Sequence, residues 1–333
     1  MIKIKKNPII NRRRIYLCAS LFFIIIISFL LGSDPLILIP IWISNFVPIL
    51  LLSMAAAIVI SCGNIDIAPG AIMSFLGMCI IMWMSIMGSE KLNVMIGHLV
   101  AIVICLIIYI TIYGAIRLKI PSLIITLSAY FICKGFSIFL QACLQGAGSI
   151  GHLLNKDYFI YKSNTIPEEY VLHVVGNPIF AFIAVIVLVS LLYFWRFHTR
   201  QGLEHIAVGF DPKAAVFSGI SCEKVYFISF LLAGIFVILA TFFRIHGQTQ
   251  GGWTPNTGWG EELLAIAIAV IGGTRITGGR FDPISILLSA LTIYAMRDVV
   301  TNDFNLPSEI ASMAFGITIV LVIILDSRTQ KNN

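Results

Sequence analysis

Long apolar runs separated by short polar breaks organise the chain. Runs of roughly 17–25 residues, the length that crosses a bilayer as a helix, recur at about 15–31, 36–60, 68–87, 94–116, 121–142, 178–195, 225–243, 259–273, 283–300 and 307–325. They are continuous rather than alternating, which predicts helices and argues against a β-barrel. The eighth is short, and Gly258, Gly260, Gly272 and Gly273 bracket it. The pattern predicts an all-α, polytopic transmembrane helical bundle of about ten spans.

Composition agrees with that reading. Of 333 residues, 59% are hydrophobic and 11% charged, where a soluble domain carries about 25% charged residues. A water-soluble enzyme and a disordered chain are both excluded. The net charge of +6 comes from basic residues dispersed between apolar runs, so no nucleic-acid surface is implied. Seven cysteines show no CxxC or Cys/His ligand spacing, and four of them, Cys18, Cys79, Cys105 and Cys133, lie inside apolar runs. Neither a disulfide framework nor a metal site has support.

Charge placement orients the spans. With both termini cytoplasmic, 16 of the 22 Lys and Arg residues fall on the cytoplasmic side, as the excess of positive charge in cytoplasmic loops requires. Residues 1–14 then form a basic cytoplasmic N-terminus, 15–325 the membrane domain and 326–333 a cytoplasmic tail. The run after Arg14 resembles a signal peptide, but Leu31–Pro35 offers no small-residue cleavage site, so it reads as a retained helix. Two loops are long: an external one at 143–177 and a cytoplasmic one at 196–224.

Three segments carry candidate chemistry. The first, Ser61-Cys62-Gly63-Asn64-Ile65-Asp66-Ile67-Ala68-Pro69-Gly70, interrupts about fifty apolar residues. Backbone freed there needs protein or water partners, and an ionisable residue at this depth marks a functional candidate. The plainer alternative is a turn in which Asp66 caps the next helix. The second, Gly272-Gly273-Thr274-Arg275-Ile276-Thr277-Gly278-Gly279-Arg280, suits a tight hairpin. Lacking the Walker lysine, it is no phosphate loop, and its arginines also satisfy simple charge topology. The third runs from Gly202 to Ile220: Asp211 can cap a helix, Pro212 fits its first position, and Ala214, Ala215, Phe217 and Ser218 offer a docking surface. An amphipathic linker lying on the membrane is the alternative.

Single residues are weaker signals. Lys134 in the fifth run can pair with an anion or carboxylate, or snorkel outward. His98 reads as a packed residue, and Glu261 and Glu262 suit a helix N-terminus. Trp42, Trp83, Trp195, Trp253 and Trp259 lie near run ends, as an aromatic belt predicts. No nucleophile elbow, HExxH or paired carboxylate occurs, and intramembrane acids are few. The energy for any transport would then come from another chain.

At these segments the sequence resembles the integral membrane permease of bacterial ABC sugar importers, the branch with ribose, xylose, arabinose, galactofuranose and autoinducer-2 systems. Its S-G-G-I-D-L-S-V-G pattern is met by Cys62–Gly70, with Asn64 and Pro69 as departures. Its I-P-x-F-I-x-T-L pattern is met by Ile120–Leu127, including Thr126, and a following R-G by Lys134-Gly135. The cytoplasmic G-x-x-x-x-A-x-G-x-N-x-x-A-A-x-x-x-G-I pattern is met by Gly202, Ala207, Gly209, Asp211 (for asparagine), Ala214, Ala215, Gly219 and Ile220. G-G-T-x-x-x-G-G matches Gly272–Gly279, with Arg275 at a position usually small or apolar.

The resemblance implies an inner-membrane, multi-pass permease subunit that moves a monosaccharide or sugar-like solute, rather than an enzyme. It implies a substrate route near Gly63, Asn64, Asp66, Gly70, Thr126 and Lys134. The ATPase-coupling loop it implies holds Gly202, Glu204, Ala207, Gly209, Asp211, Lys213, Ala214, Ala215 and Gly219. ATP and Mg would bind a partner ATPase, with a second permease chain, a sugar-binding protein and membrane lipid as further partners. Related permeases for branched-chain amino acids or nucleosides, an ion-coupled carrier and a membrane-embedded enzyme are the competing readings.

Overall fold

A computed structural model describes residues 8–30, 35–87, 91–144, 177–247 and 253–304, with isolated positions at 313 and 316. The expected tenth run at 307–325, the tail at 326–333 and nearly all of the expected external loop lie outside the described residues. Among the described residues every regular element is helical and no strand occurs. In chain order the α-helices are α1 (Pro8–Leu30), α2 (Pro35–Ser61), α3 (Pro69–Met87), α4 (Lys91–Arg117), α5 (Ser122–Leu144), α6 (Pro178–His198), α7 (Arg200–Phe210), α8 (Pro212–Phe217), α9 (Cys222–Gly247), α10 (Glu261–Ile271) and α11 (Pro283–Asp298), the last continuing into a π-turn at Val299–Asp303. Five of them, α4, α5, α6, α9 and α11 with its continuation, are long and apolar enough to cross a membrane.

The bundle is built around α2. Every residue from Phe46 to Cys62 is buried, as befits a helix apolar on all sides. It packs on α9, α10, α11 and α6, while α3 is held between α4 and α5 and α1 lies along α11. The outer helices α4, α5 and α6 bury one stripe each. In α5 that stripe is Thr126, Cys133 and Ser137, and Leu123, Ile124, Leu127, Phe131, Phe136 and Phe139 point outward.

Four helices stop in the same way, at one end of the bundle. After α2, Gly63 (φ 90°) turns the chain so that its N–H reaches Ile60 O (2.9 Å) and the Asn64 N–H reaches Val59 O (3.2 Å). This pairing satisfies terminal carbonyls that lipid could not. Lys119, Gly219 and Gly273 repeat it after α4, α8 and α10. Gly63, Gly219 and Gly273 thus have a conformational reason to be glycine, since φ is positive at each.

The eighth apolar run departs from expectation. Its helix, α10, has only 11 residues, or about 16 Å, against the ~30 Å of a hydrocarbon core. The preceding residues 255–260 form successive turns instead. Trp253 is no belt residue: it is buried, its ring lies over Gly77, and its indole donates to Ser74 O at 3.0 Å. A Cβ at Gly77 would overlap that ring, whereas one at Gly114 would meet nothing. Gly77→Ala is therefore expected to cost about 1–3 kcal/mol and lower the thermal unfolding midpoint in detergent. Gly114→Ala should leave the midpoint near that of the wild type.

Candidate functional site

Two breaks in the helical pattern face each other across α3. The first, residues 62–68, leaves α2 as extended chain and is fastened to α5 and α4. Ser122 Oγ accepts the Ile65 N–H (3.1 Å), and Thr126 Oγ1 accepts the Ile67 N–H (3.5 Å) while lying 3.4 Å from Ile65 O. The Asp66 carboxylate is buried. One oxygen accepts the Ala68 N–H (2.9 Å) and the other accepts the Tyr109 hydroxyl (3.1 Å). Asp66 therefore closes a turn just ahead of α3, whose first intrahelical bond ends on Ala68 O, rather than capping the helix amides, and it ties this entry to α4. Tyr109 reaches it by passing Gly234 of α9, where a Cβ would stand 2.9 Å from the ring.

The second break, residues 253–260, is held by side chains from two helices. Ser74 Oγ donates to Pro255 O (2.8 Å). Lys134 Nζ donates to the same carbonyl (2.6 Å) and to Asn256 Oδ1 (3.0 Å). Lys134 neither snorkels nor binds a carboxylate in this arrangement; it pins a loop. Gly70 joins the two breaks, because a Cβ there would overlap Glu262 Oε2 and approach Gly258 O. Glu262 is buried, with Oε1 accepting the Gly260 N–H (3.1 Å) and Oε2 without a partner.

The 196–224 loop folds into α7 and α8 and docks on the end of α2. Thr199 caps α7 by accepting the Gly202 N–H (3.1 Å), and Gly202 abuts the Trp195 and Arg196 carbonyls where a Cβ would not fit. The buried face of α7 is Gly202, His205, Val208 and Gly209. His205 lies between two hydroxyls, with Nε2 2.7 Å from Ser61 Oγ and Nδ1 3.0 Å from Ser229 Oγ. The neutral ring donates from one nitrogen and accepts at the other. Burial, then the Arg196 guanidinium, pushes its pKa down to about 3, so it stays neutral. Gly209 packs on Ser61 O, and that carbonyl also accepts the Gly279 N–H (2.8 Å). The expected hairpin is present, closed by the Arg275 N–H to Arg280 O bond (3.1 Å).

Asp211 caps α8, as the sequence suggested, accepting from the Lys213 and Ala214 amides (2.9 and 3.2 Å). Ala207 O accepts the Asp211 N–H (3.1 Å), and Glu204 pairs with Arg200 (2.6 Å) on an exposed surface. Lys213 and Ala214 are exposed, but Ala215 is buried with Cys62, Val208 and Val225. Of the expected surface, Ala214, Phe217 and Ser218 do face outward, and Phe210 joins them; Phe210 and Phe217 are 73% and 93% exposed.

The structure thus brings Gly63, Asn64, Asp66 and Thr126 onto one break and joins Gly70 to the other, where Lys134 lies. Sequence reasoning missed Tyr109 and, although Ser61 and His205 lay in segments it singled out, gave those two no role. Tyr109 lies in an unbroken apolar run, and the partners of Ser61 and His205 are 144 residues apart, a pairing no local pattern records. The clamp between Arg14 and Asp282 (2.8 Å), which ties α1 to the hairpin's exit, was equally invisible. His98 is packed as expected, stacked on His246 with ring centroids 4.9 Å apart. No group of three or more His, Cys, Asp or Glu residues that could hold a metal occurs among the described residues.

Comparison with known proteins adds a name to this architecture. The family model described as branched-chain amino acid transport system / permease component matches residues 38–323. The Fructose import permease protein FruG of Bifidobacterium longum is 25% identical over 291 residues, 83% of this chain and 78% of that protein. The Galactofuranose transporter permease protein YtfT of Escherichia coli is 27% identical over 84% of this chain and 77% of its own length. The Ribose import permease protein RbsC of Escherichia coli matches locally, 29% identical over 40% of each chain. No solved structure matches significantly. The chain belongs to this permease family, and its apolar helices mark it as an integral membrane protein.

His205 generates a pH prediction. Its folded pKa lies below the unfolded value of 6.5, so the unfolded chain takes up the proton first. Its contribution is complete above about pH 6.5 and is lost progressively as pH falls below that. Unfolding in detergent at pH 7.5 and 5.5 should show a smaller acid shift for His205→Gln than for the wild type. Equal shifts would mean that the imidazole is not held neutral.

Proposed function

We propose, from membership of that permease family, that the chain is the membrane-spanning subunit of an ATP-binding cassette importer for a monosaccharide or sugar-like solute. The similarity to fructose and galactofuranose permeases over more than four-fifths of the chain supports this reading most directly. In it the chain crosses the bacterial inner membrane ten times with both termini cytoplasmic, so that the Ser61 end of the bundle faces the cytoplasm. A second permease chain completes the pore, and a solute-binding protein delivers the sugar outside. ATP and Mg bind a separate cytoplasmic ATPase.

The α7–α8 corner suits the coupling role. Phe210 and Phe217 project from it, and large apolar side chains this exposed on a cytoplasmic surface belong to an interface. A partner that presses on α8 moves α7 with it, and α7 is bonded to the end of α2 through His205 and Gly209. The two breaks then line the route, because irregular backbone at membrane depth is tolerated where it is buried in protein or faces water. The route residues are Gly63, Asn64, Asp66, Gly70, Thr126 and Lys134.

The family description names branched-chain amino acids, so leucine is the comparison substrate. In proteoliposomes holding the ATPase–permease complex with its binding protein, labelled sugar uptake is expected to need ATP and Mg and to survive ionophores; leucine should not be taken up. ATP-independent uptake driven by an ion gradient would overturn the reading. Gly209→Val places two methyl groups against Ser61 O. It is expected to lower uptake about tenfold or more, equivalent to at least ~1.4 kcal/mol, while ATP hydrolysis continues. Tight coupling in that variant would refute the docking assignment.

A further inference from the structure

Lys134 lies twelve residues into the 23-residue α5, about 18 Å along its axis, near the middle of a bilayer-length helix. Around it the structure gathers two further side chains that lipid cannot satisfy, those of Trp259 and Asn256. Lys134 Nζ stands 5.3 Å from the centroid of the Trp259 ring. Trp259 is 66% exposed. Asn256 is exposed and receives a hydrogen bond from Lys134 at its Oδ1. An ammonium, an amide and an indole open to hydrocarbon would be strongly unfavourable at this depth. Their open side faces water or another polar molecule.

The groups left over have a definite chemistry. An ammonium has three donors, and Lys134 uses two, on Pro255 O and Asn256 Oδ1. The Asn256 amide nitrogen has no bond among the described residues. One face thus offers unused N–H donors beside the open surface of an indole. Donors meet the oxygens of a hydroxylated ligand, and the flat aromatic surface meets its C–H face, the mixture of apolar wall and few placed polar groups that small-molecule sites use. An anion is a poorer fit. Glu262, buried with one carboxylate oxygen unpartnered, is close enough to act electrostatically on Lys134, and it offsets the positive charge. The station presents little net charge and several donors, which selects a neutral polyol.

We propose that Trp259, Lys134 and Asn256 form a polyol-binding station midway along the route, on which a neutral sugar stacks on the Trp259 ring. The inference rests on the sugar-permease reading and adds to it the place where the solute is held. The station also belongs to a fastened loop of successive turns. Residues 255–260 are turns, with Gly258 and Gly260 at positive φ (83° and 80°), and Lys134 and Ser74 hold Pro255 from two helices. A solute that takes up the free donors of Lys134 and Asn256 therefore touches the fastening of the loop itself.

The test uses the full ATPase–permease complex with its binding protein in proteoliposomes, with labelled fructose, ribose and galactose as probes. Trp259→Leu removes the ring but keeps an apolar side chain; Trp259→Phe keeps a ring. The expected result is a fall in uptake of about tenfold or more for Trp259→Leu and less than about threefold for Trp259→Phe. ATP hydrolysis and recovery of the complex should be unchanged in both. Wild-type uptake by Trp259→Leu would overturn the station and leave the permease reading intact. If Trp259→Leu does not assemble, Asn256→Val decides, since its side chain is exposed; undiminished uptake there also overturns the proposal. Absence of sugar uptake by the wild type would sink the permease reading, and the station with it. Efficient disulfide cross-linking of Trp259→Cys to its counterpart in a second copy would show that the indole faces a permease chain instead of the route, and would overturn the station as well.

Discussion

The end of α2 at Ser61 is the point on which the described structure turns. Its carbonyl accepts the hairpin amide of Gly279, its hydroxyl meets His205 of α7, and Gly209 rests against it. One residue later the chain leaves the helix and enters the break that carries Asp66. Three glycines make this junction possible: Gly278, where a Cβ would overlap Gly209 O, Gly279, which donates to Ser61, and Gly209 itself. Because α2 is buried along Phe46–Cys62, its end cannot shift sideways without disturbing packing on α9, α10 and α11.

The bilayer explains why the polar groups lie where they do. Backbone that leaves a helix at membrane depth must find partners within the protein, and both breaks find them in side chains of neighbouring helices. Ser122, Thr126 and Tyr109 serve the first, and Ser74 and Lys134 the second. The half-length α10 follows from the same constraint, because turns replace the helix that would have filled the rest of its run. A bundle of uninterrupted spans would have been simpler to satisfy. Two interrupted ones need side chains from α3, α4 and α5 to satisfy what they leave open.

Much of this was legible in the chain, for identifiable reasons. Spans are long apolar runs, and α2 to α6, α9 and α11 begin and end close to where those runs do, whereas α1 starts at Pro8, inside the stretch expected as a basic N-terminus. The α8 cap was readable because Asp211-Pro212 is a local signal. The substance of the breaks was not. Lys134 read as pairing with an anion or carboxylate, or as snorkelling outward, yet its partners are a carbonyl and an amide oxygen 121 and 122 residues away. Trp253 looked like an interfacial tryptophan, yet Gly77 gives its ring room inside the bundle. Ala215 looked like part of a docking surface with Phe217 but faces inward, and the unforeseen Phe210 faces out beside Phe217. Each miss concerns which side of an element meets which neighbour, information that lies in tertiary packing.

The central claim is that α7, α8 and the glycine hairpin form one unit with the end of α2. Pulsed electron resonance between spin labels at Ser218 on α8 and Thr277 in the hairpin, both exposed, tests it directly in the assembled complex. The account predicts that this distance stays constant between nucleotide-free and ATP-bound states, while the distance from Ser218 to Leu127 on α5 changes. A Ser218–Thr277 distance that changes as much as the other would contradict it, because α8 would then move without the junction at Ser61.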